Sequence, residues 1–355
     1  MENQTKIISG IQQVGIGVPN VNEAWAWYRV NFGMDVPIFQ EEAEAKLMID
    51  YTGNKVHARN AVLAINMQGG GGFEIWQFTS RTPQPANFEI KLGDYGIFAA
   101  KMKVVNVESL YKQYKAKGLE LVTEVAADPE GKKHFFVKDL YGNLFQMEES
   151  TVWFDKNNYP TGGPSGAVIG VSNIDNALKV YQDILEYDTV VYDETKIFDD
   201  LASIEGGNRS FRRVKLRHKS ERKGSFSKLL GPSTIELVQL TEEKGSKIYQ
   251  DRFWGDLGFI HLCFDIKHMD SLREECKDKG FPFTVDSQNS FDMGEAAGHF
   301  SYIADPDGTL IEFVETHKIP IMKKMGWYLN LKTRKPEKSL PTWMVKALRF
   351  NRVKD

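Results

Sequence analysis

The segments GFEIWQF (72–78) and TIELVQL (234–240) read as one strand written twice: an apolar run broken at its third residue by a glutamate, Glu74 in one and Glu236 in the other. Period-two alternation puts Glu74, Trp76 and Phe78 on one face and Phe73, Ile75 and Gln77 on the opposite face. A second pair, DLYGNLF (139–145) and DPDGTLI (305–311), joins turn chemistry to a strand that carries Gln146 in one case and Glu312 in the other. Each of these four strands closes a unit.

Read outward, each unit opens with a strand-like run, continues through a helical stretch and ends in further strands, a βαβββ pattern repeated four times. Unit one spans GIQQVGIGVPNV (10–21) and the helical NEAWAWYRVNFGM (22–34) up to residue 78; unit two spans YGIFAAKMKVVNV (95–107) and ESLYKQYKAKG (108–118) up to residue 149. Unit three spans SGAVIGVSNI (165–174) and DNALKVYQDIL (175–185) up to residue 240; unit four spans FIHLCFDIKHM (259–269) and DSLREECKDKG (270–280) up to residue 313. Equivalent positions recur about 160 residues apart, as duplication of a two-unit segment produces. The Pro/Gly-bearing string DKNNYPTGGP (155–164) separates the halves. The chain therefore divides into 1–155, 164–317 and a basic extension, 318–355, and the fold class is α+β.

Composition narrows the function. The 355 residues hold 45 basic and 48 acidic side chains, for a net charge of −3, too even for bulk binding to nucleic acid or a membrane surface. No signal peptide or spanning run is evident, which points to the cytoplasm. Cys263 and Cys276 are too few for a disulfide framework or zinc ribbon, so a metal would rely on His, Glu, Gln or Asp. The extension carries +9 against −12 for the remainder and includes GWYLNL (326–331) and LPTWMVKALRF (340–350). It is expected to pack back on the body through Trp343, Leu348 and Phe350.

Four βαβββ units with a ligand position on the first and last strand of each, the first-strand one empty of a donor in units two and three, resemble the vicinal oxygen chelate superfamily, which includes glyoxalase I, methylmalonyl-CoA epimerase, extradiol dioxygenases and 4-hydroxyphenylpyruvate dioxygenase. The resemblance covers residues 8–317. It implies tandem units forming two curved mixed β-sheets with helices outside, and a divalent metal held by inward side chains. Its first-strand ligand positions fall on Gln13, Ala99, Gly166 and His261, and its last-strand positions on Glu74, Gln146, Glu236 and Glu312. Two pairings are open. Sequence neighbours would give His261, Glu312 and Glu236 as ligands in the second half, whereas pairing unit one with unit four gives Gln13, Glu74, His261 and Glu312, the donor set of one type of glyoxalase I. His261 and Glu312 belong to the site either way.

One imidazole with carboxylate and amide oxygens suits Zn or Ni, with Fe possible; a two-histidine iron site would need His299 as the second imidazole. The bland readings are a core role for Cys263, Trp76 and Phe78, and Arg or Lys partners for Glu74 and Glu236, since an unpaired buried carboxylate costs several kcal/mol. Gln12 competes with Gln13 for the inward position. The basic string RSFRRVKLRHKSERK (209–223) reads as a half-exposed strand and loop, or as an anion-binding wall.

The resemblance implies a metal-dependent lyase or isomerase acting by proton abstraction beside a chelated carbonyl, with Glu312 as base, Glu74 opposite it and His299 as a further acid or base. The rivals are a non-haem iron dioxygenase and a metal-free binding protein of the bleomycin-resistance kind. The expected partner is a small molecule, not nucleic acid or membrane, and the expected assembly a monomer or homodimer.

Overall fold

A computed structural model describes residues 5–288, 291–292, 297–322 and 326–353. Unit one contains β1 (Ile7–Gly17), α1 (Val21–Phe32), β2 (Val36–Glu44), β3 (Ala58–Ile65) and β4 (Gly72–Phe78); unit two contains β5 (Gly96–Val104), α2 (Val107–Ala116), β6 (Ala126–Ala127), β7 (Lys133–Lys138) and β8 (Leu144–Glu149). Unit three contains β9 (Thr161–Gly170), α3 (Ile174–Tyr181), β10 (Thr189–Lys196), β11 (Phe211–Arg217), α4 (Ser227–Leu230) and β12 (Thr234–Leu240). Unit four contains β13 (Gly258–Lys267), α5 (Met269–Asp278), β14 (Val285–Asp286), β15 (Phe291–Asp292), β16 (Ala297–Ala304) and β17 (Leu310–Met322). The extension adds β18 (Trp327–Asn330) and α6 (Thr342–Lys346).

Local chemistry starts three of the four main helices in the same way. Asn20, Asn106 and Asn173 cap α1, α2 and α3, each side-chain oxygen accepting backbone N–H bonds from the first turn. Gln77 and Gln239, on the outer faces of β4 and β12, accept the N–H groups of Val21 and Ile174 as well. In unit four the cap position is His268, in the left-handed region, and Glu315 accepts the Met269 N–H instead.

The strands form two curved mixed sheets. One runs β14-β16-β17-β13-β1-β4-β3-β2, with β15 beside β16 and β18 beside β17; the other runs β10-β11-β12-β9-β5-β8-β7-β6. Units one and four thus share a sheet, joined by antiparallel pairing of β1 with β13, and units two and three share the other, joined by β5 with β9. Sequence neighbours instead meet through their helices. Tyr28 of α1 donates to Asp139 in the turn before β8 at 2.5 Å, and Tyr181 of α3 donates to Asp305 in the turn before β17 at 2.9 Å. The main core lies between the sheets and these helices, around Tyr28, Phe32, Phe73, Phe145, Tyr181 and Phe313.

The extension closes one flank. Leu331, Leu340, Val345 and Leu348 pack with Val36, Ile65, Leu229 and Ile319, and Lys346 and Arg352 pair with Asp155 and Asp35 at 2.7 and 3.1 Å. Trp343 and Phe350, expected in that packing, stand exposed at 62% and 65%, because the apolar face that docks is the one bearing Val345 and Leu348. Lys323, Lys324 and Lys354 of the basic tail lie outside the described residues. Among the described residues no helix is long and apolar enough to cross a membrane.

Candidate metal centre

In every unit the first-strand position lies beside the residue two before the last-strand position: Gln13 beside Gly72, Ala99 beside Leu144, Gly166 beside Thr234 and His261 beside Leu310. Parallel pairing with this offset aims both side chains of a unit at the same face. What each sheet then holds depends on which units meet.

In the sheet of units one and four, Gln13, Glu74, His261 and Glu312 converge. One ligand atom each from Glu74, His261 and Glu312 lies within 4.8 Å of the others. His261 Nε2 is 3.2 Å from a Glu74 oxygen and 3.1 Å from a Glu312 oxygen, and the Gln13 amide nitrogen donates to both carboxylates at 3.0 and 3.3 Å. The imidazole is 1% exposed. Burial alone would push its pKa down, but Glu312 and Glu74 outweigh that and hold it up at about 10. Tyr302 Oη approaches the other ring nitrogen, Nδ1, at 3.4 Å.

Two observations fit a metal ion. His261 Nε2 and Gln13 Oε1 are buried without an aligned hydrogen-bond partner, an arrangement native interiors rarely leave unexplained. The donors, one imidazole nitrogen with carboxylate and amide oxygens, match a borderline divalent ion. Gly15 makes the room. It lies opposite His261 across the β1–β13 ladder, and a Cβ there would sit 2.4 Å from the ring's Cε1.

The other sheet holds the equivalent positions Ala99, Gln146, Gly166 and Glu236, and there the charges are internal. Lys101 faces Gly166 across β5–β9 as Gly15 faces His261 across β1–β13. The volume a histidine ring fills in one sheet is filled from the opposite strand by a lysine in the other. Lys101 Nζ lies 2.6 Å from Glu236 and 3.3 Å from Glu148, and Arg213 also bonds Glu236. Arg213 bonds Asp200 at 2.7 Å, Lys215 bonds Asp128 at 2.7 Å, and His134 Nε2 is 3.1 Å from Asp200. Burial would raise the Glu236 pKa, but Arg213 and Lys101 hold it far below the usual range. Gln146 is fully buried with both amide atoms unpartnered.

Several expectations change. Glu236 is not with His261 and Glu312; it lies in the other sheet, neutralised by Lys101 and Arg213, so a ligand role for it does not fit. His299 is on β16, where Gly298, Phe300 and Tyr302 face the cavity. Its own ring points the other way and pairs with Asp286 at 2.5 Å, so neither the acid/base role nor the second iron ligand fits. The basic string yields β11, whose Arg213 and Lys215 are buried partners of carboxylates rather than an anion-binding wall. Lys101, Gly15 and Tyr302 were missed. The signal for Lys101 was available: FAAKMKV (98–104) places it on the face of Ala99 in an apolar strand.

The metal-centre face opens into a cavity of about 330 Å³, lined by Gln13, Glu74 and Glu312 at its polar end and by Trp76 and Trp254 beside them. Phe78 shares the Glu74 face but packs beyond the cavity, against His57 and Arg81.

Two family models, both described as glyoxalase/bleomycin resistance protein/dioxygenase superfamily, match residues 10–147 and 167–301. The chain belongs to this superfamily, the vicinal oxygen chelate proteins, with two tandem domains. Its fold is similar to that of glyoxalase I from Zea mays, at 12% identity and a TM-score of 0.52, covering 88% of this chain and 92% of the other. A variant of the maize enzyme gives 0.54 at 12% identity over 88% and 94%. A proposed dioxygenase of Bacillus subtilis gives 0.54 at 13% identity over 88% and 86%. At these identities the likeness concerns the fold. No curated protein matches the sequence.

Proposed function

We propose that the chain is a metal-dependent lyase or isomerase that removes a proton beside a carbonyl of a small oxygenated substrate. The observation that carries this reading is the convergence of Glu74, His261 and Glu312 at the end of a cavity, with both carboxylates drawn up to the buried His261 Nε2 and no aligned hydrogen bond made there. Gln13, Glu74, His261 and Glu312 would hold the ion, Zn or Ni before Fe. When bound, it supplies Lewis acidity to an enolate-forming carbonyl. Glu312 is assigned as the base that takes the proton, with Glu74 on the opposite side of the site. The Gln13 amide, bonded to both carboxylates, orients them. Tyr302, near Nδ1, steadies the imidazole from behind, as outer groups do for ligating histidines.

The iron dioxygenase reading is less well supported, because such sites use two histidines and a carboxylate and His299 faces Asp286. A test of the lead is elemental analysis of the purified protein followed by deuterium exchange at the α-carbon of a hydroxyketone. About one equivalent of Zn or Ni and exchange lost in Glu312→Gln support it. Full exchange by the metal-stripped protein, or by Glu312→Gln, refutes it.

A further inference from the structure

The proposed reaction says which oxygens the substrate offers, and the cavity says what surrounds them. Beyond the ligands its walls are mostly apolar and come from four parts of the chain: Leu63 and Ile65 of unit one, Leu229 of unit three, Phe300 of unit four, and Ile319 and Leu348 toward the extension, with Gln12, Glu41, Glu44, Thr316 and Asn351 among the polar groups between them. Among the described residues the cations that line it are Lys46 and Arg59. Arg59 is committed: its guanidinium bonds a Glu41 carboxylate oxygen at 2.5 Å and the Glu41 carbonyl at 2.9 Å, and lies over the Trp76 ring at 5.1 Å. Lys46, at the exposed rim, is 3.4 Å from Glu44. A substrate carboxylate entering this cavity would lose its water and, among the described residues, find no uncommitted cation inside the cavity to replace it, only the exposed Lys46 at its mouth.

We propose that the site takes a neutral substrate with an apolar body, an aryl or alkyl group bearing vicinal hydroxy and carbonyl oxygens, and excludes peptide-thiol adducts, whose free carboxylates the cavity does not neutralise. This rests on the functional reading only for the oxygen pair; the preference for a neutral apolar body comes from the walls. The volume, at the small end of ligand pockets, suits one ring or a short chain.

The test is calorimetric binding to the full-length, zinc-loaded protein with three probes: 2-hydroxyacetophenone, its 4-carboxylate, and hydroxyacetone, which lacks the ring. The neutral aryl ketone is expected to bind at least about tenfold more tightly than either of the others. Glu41→Gln releases the Arg59 guanidinium and should cut the carboxylate's disadvantage about tenfold while leaving the neutral ketone within about twofold. Equal or tighter binding of the carboxylate by the unmodified protein overturns the proposal, as does failure of the aryl ketone to bind. If the preference holds but no proton exchange occurs, the proposal on substrate class stands and the reaction assigned above falls.

Discussion

Exchanging Glu236 for glutamine, set against the same change at Glu74, separates the two pseudo-equivalent sheets. Glu236 is fully buried, 2.6 Å from Lys101 Nζ and bonded to Arg213, and both cations are themselves fully buried. At an effective dielectric constant of about 20, a unit-charge pair about 4 Å apart is worth about 4 kcal/mol before desolvation, and contacts this short are worth more, about 6 kcal/mol. Glutamine retains some hydrogen bonding and avoids burying a charge, which offsets part of that loss. The chamber is left with three buried cations, Lys101, Arg213 and Lys215, facing Glu148, Asp128 and Asp200 without their central carboxylate. Breaking a buried pair in this way costs about 3–5 kcal/mol. Glu236→Gln should therefore lower the unfolding free energy by about that amount in urea titration while its zinc stoichiometry, measured by elemental analysis, stays unchanged. Glu74→Gln should do the reverse: stability within about 1 kcal/mol and zinc affinity reduced by more than about 100-fold. Loss of metal in the Glu236 variant, or a stability change there below about 1 kcal/mol, would refute the assignment of the second chamber as a self-neutralised counterpart of the metal centre.

Other outcomes follow from single contacts. Gly15→Ala places a methyl group against the His261 ring and should reduce zinc affinity about 10–100-fold, read by competition with a chelating dye; unchanged affinity would contradict the close approach described here. Because Glu312 and Glu74 hold the His261 pKa at about 10 and ligation needs the neutral ring, apparent metal affinity should rise with pH, about tenfold per unit below that value, with proton release seen in weakly buffered solution. Burial raises the Asp265 pKa from 3.8 to about 7, against the weaker pull of Ser9 and Lys267, so the folded state keeps a proton that the unfolded chain releases. Stability contributed by that proton is present below pH 3.8 and is lost as pH rises to about 7. Asp265→Asn should remove this decline, its advantage over the unmodified protein growing across that window in urea titrations at fixed pH; a gap that does not widen counts against it.

Much of the fold was readable because its rules are local. Turn strings and alternating strands repeat along the chain, and the family resemblance those repeats carry placed Gln13, Glu74, His261 and Glu312 at ligand positions. The two-residue offset between first- and last-strand positions came from the structure, where parallel neighbours within each unit set it. Reading the sequence alone misassigned His299, because that residue alternates out of phase with Phe300 and Tyr302, and the face that looks into the cavity is fixed by neighbouring strands. It also left Glu236 undecided, since a buried carboxylate demands a counter-charge without saying whether an ion or a lysine supplies it.

The residue string by itself determined four βαβββ units, their duplication and which side chains within each strand point together, because these depend on backbone periodicity and short-range turns. Only the tertiary structure decided that β1 joins β13 while β5 joins β9. That choice puts Gly15 opposite His261 and Lys101 opposite Gly166, giving one face a set of metal donors and the other a closed lattice of ion pairs. It also brings the extension to the cavity wall. The physical reason is that a strand's period specifies its faces but not its neighbour, and both the empty volume and the counter-charge at each site come from the neighbour.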